Sequence, residues 1–156
     1  MKPVFVEGIP DAELMKLFGF TTKQITKEGS KGNVCNRLEK SQNTLGVVDE
    51  DPTSKGIPSY LKNLERKSEA HNLIHLFDPK RQNTVVLICP NLEEWLSKVV
   101  KDEKIDIKKD FGLPDSGKEL HKVINRELSK FQKLIAHLIT IQSAPIIHFK
   151  NLLSPN

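Results

Sequence analysis

Glu7, Asp49 and Asp51 are the residues whose types and positions invite chemistry. Glu7 follows the apolar run Val4-Phe5-Val6, and Asp49 and Asp51 follow Leu45-Gly46-Val47-Val48. Each run is rich in β-branched or aromatic residues and reads as a short buried strand that ends in acid. In an extended segment residues two apart point the same way, so Asp49 and Asp51 are expected on one face. Paired strands lie ~5 Å apart, so if these two are neighbours the three carboxylates converge. Such a set repels itself unless a cation neutralises it. Hard oxygen ligands favour magnesium or manganese, ions that usually keep waters and bind phosphate as well. The chemistry that follows is the orientation and polarisation of a phosphodiester or nucleotide.

Further side chains qualify by position. Glu93, just after a strand ending at Cys89-Pro90, is a candidate fourth metal ligand, and equally a first-turn acid that suits a helix dipole. Asp11 has the same double reading at the start of the first helix. Lys31, in the glycine-rich stretch GSKGNV (29–34), is placed to meet a phosphate or to sit in a surface loop. Lys55, after the second acidic motif, is a second phosphate-binding candidate. With Lys62, Arg66 and Lys67 it forms a basic stretch that reads as a solvated helix face or as a nucleic-acid contact. His71 and His75 lie four apart but in a segment that reads as strand, which favours structural histidines over a metal pair.

The elements that must hold these residues alternate. After the strand at 4–6, Pro10 and Asp11 open a helix that stops near Gly19, a position suited to helix termination. A weak strand is expected in 21–27, a helix from Val34, a strand at 44–48 and a short basic helix in 59–67. Two strands follow at 70–78 and 83–90, joined by the turn Pro79-Lys80-Arg81-Gln82. Asn91 and Glu94 mark a capped helix with Leu92, Trp95, Leu96, Val99 and Val100 as its stripe. A charged loop is expected over 102–117 and then one long helix over about 118–140, a surface for core packing or a dimer or partner contact. Alternating strands and helices predict an α/β fold with a mainly parallel sheet covered on both faces.

Glu7-Gly8-x-x-Asp11 at a strand-to-helix junction, followed by Asp49-x-Asp51 after a later strand, resembles the TOPRIM domain. The order of the two motifs, their strand contexts and the 42-residue spacing from Glu7 to Asp49 carry the resemblance, which spans about the first 100 residues. GSKGNV also looks like the corresponding segment of nuclease-type members, and the small overcoming-lysogenisation-defect nucleases are the nearest in character. The resemblance implies a three-layer sandwich with a long C-terminal helix, in which residues 1–102 form the TOPRIM-like core and 103–156 a charged loop and helical extension of one domain. It implies Glu7 as general acid or base or a metal-linked group, Asp49 and Asp51 as ligands of magnesium or manganese, and Asp11 as support. The implied activity is metal-dependent hydrolysis of a nucleic-acid phosphodiester, with a non-catalytic nucleotide- or protein-binding module as the alternative. The chain departs from many catalytic members where Pro52-Thr53-Ser54 separates the acids from Lys55 and Gly56. Topoisomerase chemistry is not expected, because the single tyrosine, Tyr60, falls in a short helix with no strand-passage domain.

The totals agree with this frame. A chain of 156 residues suffices for one domain with its own core. Cys35 and Cys89 lack the paired spacing of a zinc site or disulfide framework, and no run has the ~20 apolar residues of a membrane span. A cytoplasmic protein with no membrane association is the expectation. The net charge of +4 permits a nucleic-acid partner without requiring one.

Overall fold

The computed structural model describes residues 2–52 and 56–153. Its core is one sheet of six strands in the order β2-β1-β3-β6-β5-β4. The strands are β1 (Val4–Val6), β2 (Ile25–Lys27), β3 (Leu45–Asp49), β4 (Glu65–Ala70), β5 (Leu73–Asp78) and β6 (Asn83–Ile88). Among the described residues the helices are α1 (Ile9–Leu17), α2 (Lys31–Glu39), α3 (Ser59–Lys62), α4 (Leu92–Asp102), α5 (Ile107–Phe111), α6 (Gly117–Val123), α7 (Leu128–Thr140) and α8 (Ala144–Leu153).

Strand alternation splits the core between the two faces of the sheet. Val4, Val6, Leu45, Val47, Leu73, Val86 and Ile88 pack with buried residues of α1 and α4 to α8. Phe5, Val48, Ile74, Leu76 and Val85 pack with Val34, Cys35 and Leu38 of α2 and with Tyr60 and Leu61 of α3. Successive side chains of a strand point to opposite faces, so every strand buried on both sides must be apolar throughout. At Gly46 a side chain would be impossible without movement, since a Cβ there would stand 2.7 Å from Leu38 Cδ1.

The sheet is mixed rather than mainly parallel. β1 runs parallel to β2 and β3, and β3 parallel to β6, with Val6 opposite Val47 and Asp49 opposite Ile88. β5 is antiparallel to both β6 and β4. The reason is local, because each of these strands follows its predecessor through a tight turn too short for a crossover. His71 and Asn72, both at positive φ (54° and 57°), make the first turn. Asp78 fixes the second, accepting from the Lys80 and Arg81 backbone N–H groups.

Three sequence expectations change. The basic helix over 59–67 stops at Lys62, and Glu65–Ala70 forms the exposed edge strand β4 instead. The charged loop contains α5, capped by Asp106, whose side chain accepts from Lys109 N. The long C-terminal helix is broken into α6 and α7 and is followed by α8. Leu120 and Ile124 on one side of that break, and Phe131, Leu134, Ile135 and Leu138 on the other, enter the same core, which kept the helical period unbroken in the sequence. No helix among the described residues is long and apolar enough to cross a membrane.

Candidate functional site

The carboxylates gather where the parallel strands end. β1 is flanked by β2 and β3, so successive crossovers leave it in opposite directions and open a crevice beyond the strand tips. Glu7 stands immediately after β1 and Asp49 closes β3. Glu7 Oε2 accepts the Asp49 backbone N–H at 2.7 Å, which ties the two strand tips together. Asp49 Oδ1 in turn accepts the Leu92 N–H at 3.0 Å and so holds the first turn of α4. Asp11 Oδ2 accepts the Gly8 N–H at 3.3 Å. Each acid therefore has an oxygen on a backbone donor.

Burial and crowding alter these groups. Burial is the largest influence on Glu7, raising its proton affinity against the Asp49 N–H and the Lys31 charge, while Asp51 and Glu93 add to the rise. Asp11 is 9% exposed, and burial followed by the charges of Glu7 and Glu93 pushes its pKa up to about 7. Asp49 rises to about 8, again through burial first, then Asp11, Glu7 and Glu93. Glu93 acts on all three of these acids, and Glu7 on both Asp11 and Asp49, an electrostatic coupling of the kind found at shared sites.

The structure thus brings together Glu7, Asp11, Asp49 and Glu93, with Lys31 beside them. Asp11 stands in the first turn of α1, as its first-turn reading has it, and its carboxyl lies close enough to Glu7 and Glu93 to feel their charge. Asp51 does not continue the strand. Its φ of 45° is left-handed and its N–H donates to Pro90 O at 2.7 Å, so the two-residue alternation from Asp49 ends there. Its charge nonetheless reaches Glu7. Lys31 opens α2 rather than lying in a loop, because Ser30 caps the helix by accepting from Asn33 N. Its ammonium donates to the Glu50 carbonyl at 2.8 Å. Lys55 lies outside the described residues.

Other candidates stand elsewhere. Arg66 and Lys67 are on the edge strand β4, roughly 14 Å from β3 across three strand spacings, and pair with Glu69 and Glu65. Tyr60 is at the opposite end of the sheet from the acids, where its hydroxyl donates to Asp78 Oδ2 at 2.9 Å. His71 and His148 face each other with ring centroids 5.3 Å apart.

One neighbour of the cluster, His121, had no signal in the sequence. Glu93 is only 10% exposed in its side chain, and its Oε1 lies 3.1 Å from Nδ1 of His121 on α6. Residues 28 apart, on different helices, share no periodicity by which they could be paired.

Among the described residues no group of three or more His, Cys, Asp or Glu side chains is arranged to hold a metal ion as it stands. The donor set still suits a hard cation, being all carboxylate oxygen, with a cation able to displace the protons that crowding favours. Comparisons of the chain with protein-family models, with curated proteins and with solved structures give no match.

Proposed function

We propose that the chain is a magnesium- or manganese-dependent hydrolase of nucleic-acid phosphodiesters, built on a TOPRIM-like three-layer scaffold. The observation that carries this reading is the link from Glu7 Oε2 to the Asp49 N–H, at 2.7 Å, which sets two acidic strand tips side by side. Glu7, Asp49 and Asp51 are the residues that would hold the cation, after side-chain rotation onto it. When bound, the ion supplies charge neutralisation and polarisation of the phosphoryl oxygen. Asp11 fixes the turn after β1 and so the position of Glu7. Lys31, beside the acids, offers its positive charge to the phosphate.

The test is cleavage of labelled single- and double-stranded DNA and RNA with magnesium or manganese. Asp49→Asn and Glu7→Gln keep side-chain shape while removing charge, and each is expected to lower cleavage by at least about 100-fold with the fold retained. Equal cleavage by all variants would expose a contaminating nuclease. A second reading, a non-catalytic nucleotide- or protein-binding module, draws on the structural hydrogen bonds that Glu7, Asp11 and Asp49 already make. Absence of cleavage by the native protein on every substrate would favour it.

A further inference from the structure

We propose that the facing imidazoles of His71 and His148 form an acid-sensitive latch, which releases α8 from the sheet when they take up protons. The latch is independent of the chemistry in the crevice.

It joins two elements far apart in the chain. His71 stands in the two-residue turn between β4 and β5, and His148 lies on α8. Their ring centroids are 5.3 Å apart, with the ring planes inclined by 57°. Trp95 of α4 braces both sides, since its indole donates to the His71 carbonyl and its ring meets Phe149 edge-on. Ile146, Phe149 and Leu153 anchor the rest of α8 in the core.

His148 Nε2 is buried and has no hydrogen-bond partner. A neutral imidazole tolerates this, because one of its nitrogens carries no proton. An imidazolium carries a proton on both, and a buried charged donor without an acceptor is costly. The surroundings offer little relief. His71 faces the ring from the turn, and His75 couples to it from β5, itself under the charge of Lys67 on β4. α4 presents Lys98 and Asp102 to a cavity of about 240 Å³ that His71 and Pro145 also line. Lys150 is the charge on α8 itself, and His137 of α7 turns instead to Phe111. Asp102 is the one acid among these groups. It makes no ion pair with either ring, for the only histidine ion pair among the described residues joins His121 to Glu93.

Burial first, and then the charge of His71, lowers the proton affinity of His148. Burial, followed by Lys67 and His148, does the same to His75. A histidine held below its ordinary 6.5 contributes stability in full above that value, and the contribution is lost as pH falls. The crevice acids, whose pKa values are raised, have the opposite sign. Acidification therefore strengthens their end of the sheet while it loosens α8, which makes the opening local rather than global.

The experiment is hydrogen exchange read by mass spectrometry on the full chain in chelator, at pH 7 and pH 5. Rates are expressed as protection factors, so that the intrinsic pH dependence of exchange cancels. Protection across α8 is expected to fall by at least about tenfold at pH 5, the effect of one pKa unit on a single imidazole, while β1, β3 and β6 keep theirs. His148→Leu removes the buried nitrogen and its charge. His71→Asn removes the facing charge with a residue that accepts the left-handed backbone of the turn. Each variant is expected to abolish the loss. Equal protection of α8 at both pH values in the native protein would overturn the latch. So would a loss that persists in either variant, or one spread evenly over the sheet. If His148→Leu fails to fold, His71→Asn, on an exposed turn, decides alone.

Discussion

Asp49 serves two needs that oppose each other. Its carboxyl anchors Leu92 N, yet it sits among Asp11, Glu7 and Glu93 and holds a proton up to about pH 8. A group whose pKa is higher in the folded than in the unfolded state stabilises the fold fully below its unfolded value, and that contribution is lost as pH rises through the folded value. For Asp49 the window runs from 3.8 to about 8, and for Asp11 from 3.8 to about 7. The metal-free protein should therefore lose thermal stability between about pH 4 and pH 8, as followed by circular dichroism melts in chelator. Asp49→Asn should melt several degrees higher than native at the alkaline end and show a shallower slope. A variant with the native slope would show that Asp49 is not the source. At this scale the acids were legible, because a carboxylate at the end of an apolar run is a local pattern. The contact between Glu93 and His121 was not, since it depends on the close approach of α6 to α4 at Gly117, which no neighbouring residue announces.

Between elements a heavily loaded single side chain is Asn83, at the start of β6 and fully buried. Its Oδ1 accepts from Thr44 N and Oγ1, and its Nδ2 donates to Leu38 O, Ser41 O and the Tyr60 hydroxyl. Asn83 thus binds the start of β3, the end of α2 and the short α3 to the hairpin. Asn83→Ala would leave several of these groups buried and unpaired, at about 1–3 kcal/mol for each lost partner. A fall of at least about 3 kcal/mol in unfolding free energy is expected from urea titration, with the slope unchanged. A loss below about 1 kcal/mol would mean that water replaces the amide. The same elements show where sequence pattern fails. β4 reads Glu-Arg-Lys-Ser-Glu-Ala, with no apolar alternation, because it is an edge strand that solvent reaches along most of its length. β1, β3, β5 and β6 were legible for the opposite reason, since each carries buried apolar residues toward a core. The α6–α7 break left no mark because both pieces face one core.

For the whole molecule the open quantity is the free energy stored by gathering acids at one end of the sheet. A divalent cation that binds the folded chain and not the unfolded one stabilises it by mass action, about 2.7 kcal/mol at one hundred times its Kd. For a chain of this size that corresponds to a rise of roughly 5–10 °C in melting temperature. Magnesium or manganese should produce it in the native protein, and Asp49→Asn should abolish it. No shift with either ion at millimolar concentration would remove the metal from the reading. The molecule's plan was legible in part. Alternation of strands and helices announced the α/β class and left the neighbourhood of β1 and β3 open, and the antiparallel half is dictated by turns of two and four residues whose reversal carries no hydrophobic signal. Trp95, finally, gives this architecture an optical property. It is the only tryptophan of the chain, two residues after Glu93 on α4. Its indole Nε1 donates to the His71 carbonyl at 2.8 Å, and its ring meets Phe149 of α8 edge-on at 5.5 Å. The protein's tryptophan fluorescence therefore comes from one buried place, where α4 packs against the C-terminal helix. Paramagnetic manganese in the crevice would dim it, and detachment of α8 would shift it to the red, so the two events can be told apart by colour without attaching a label.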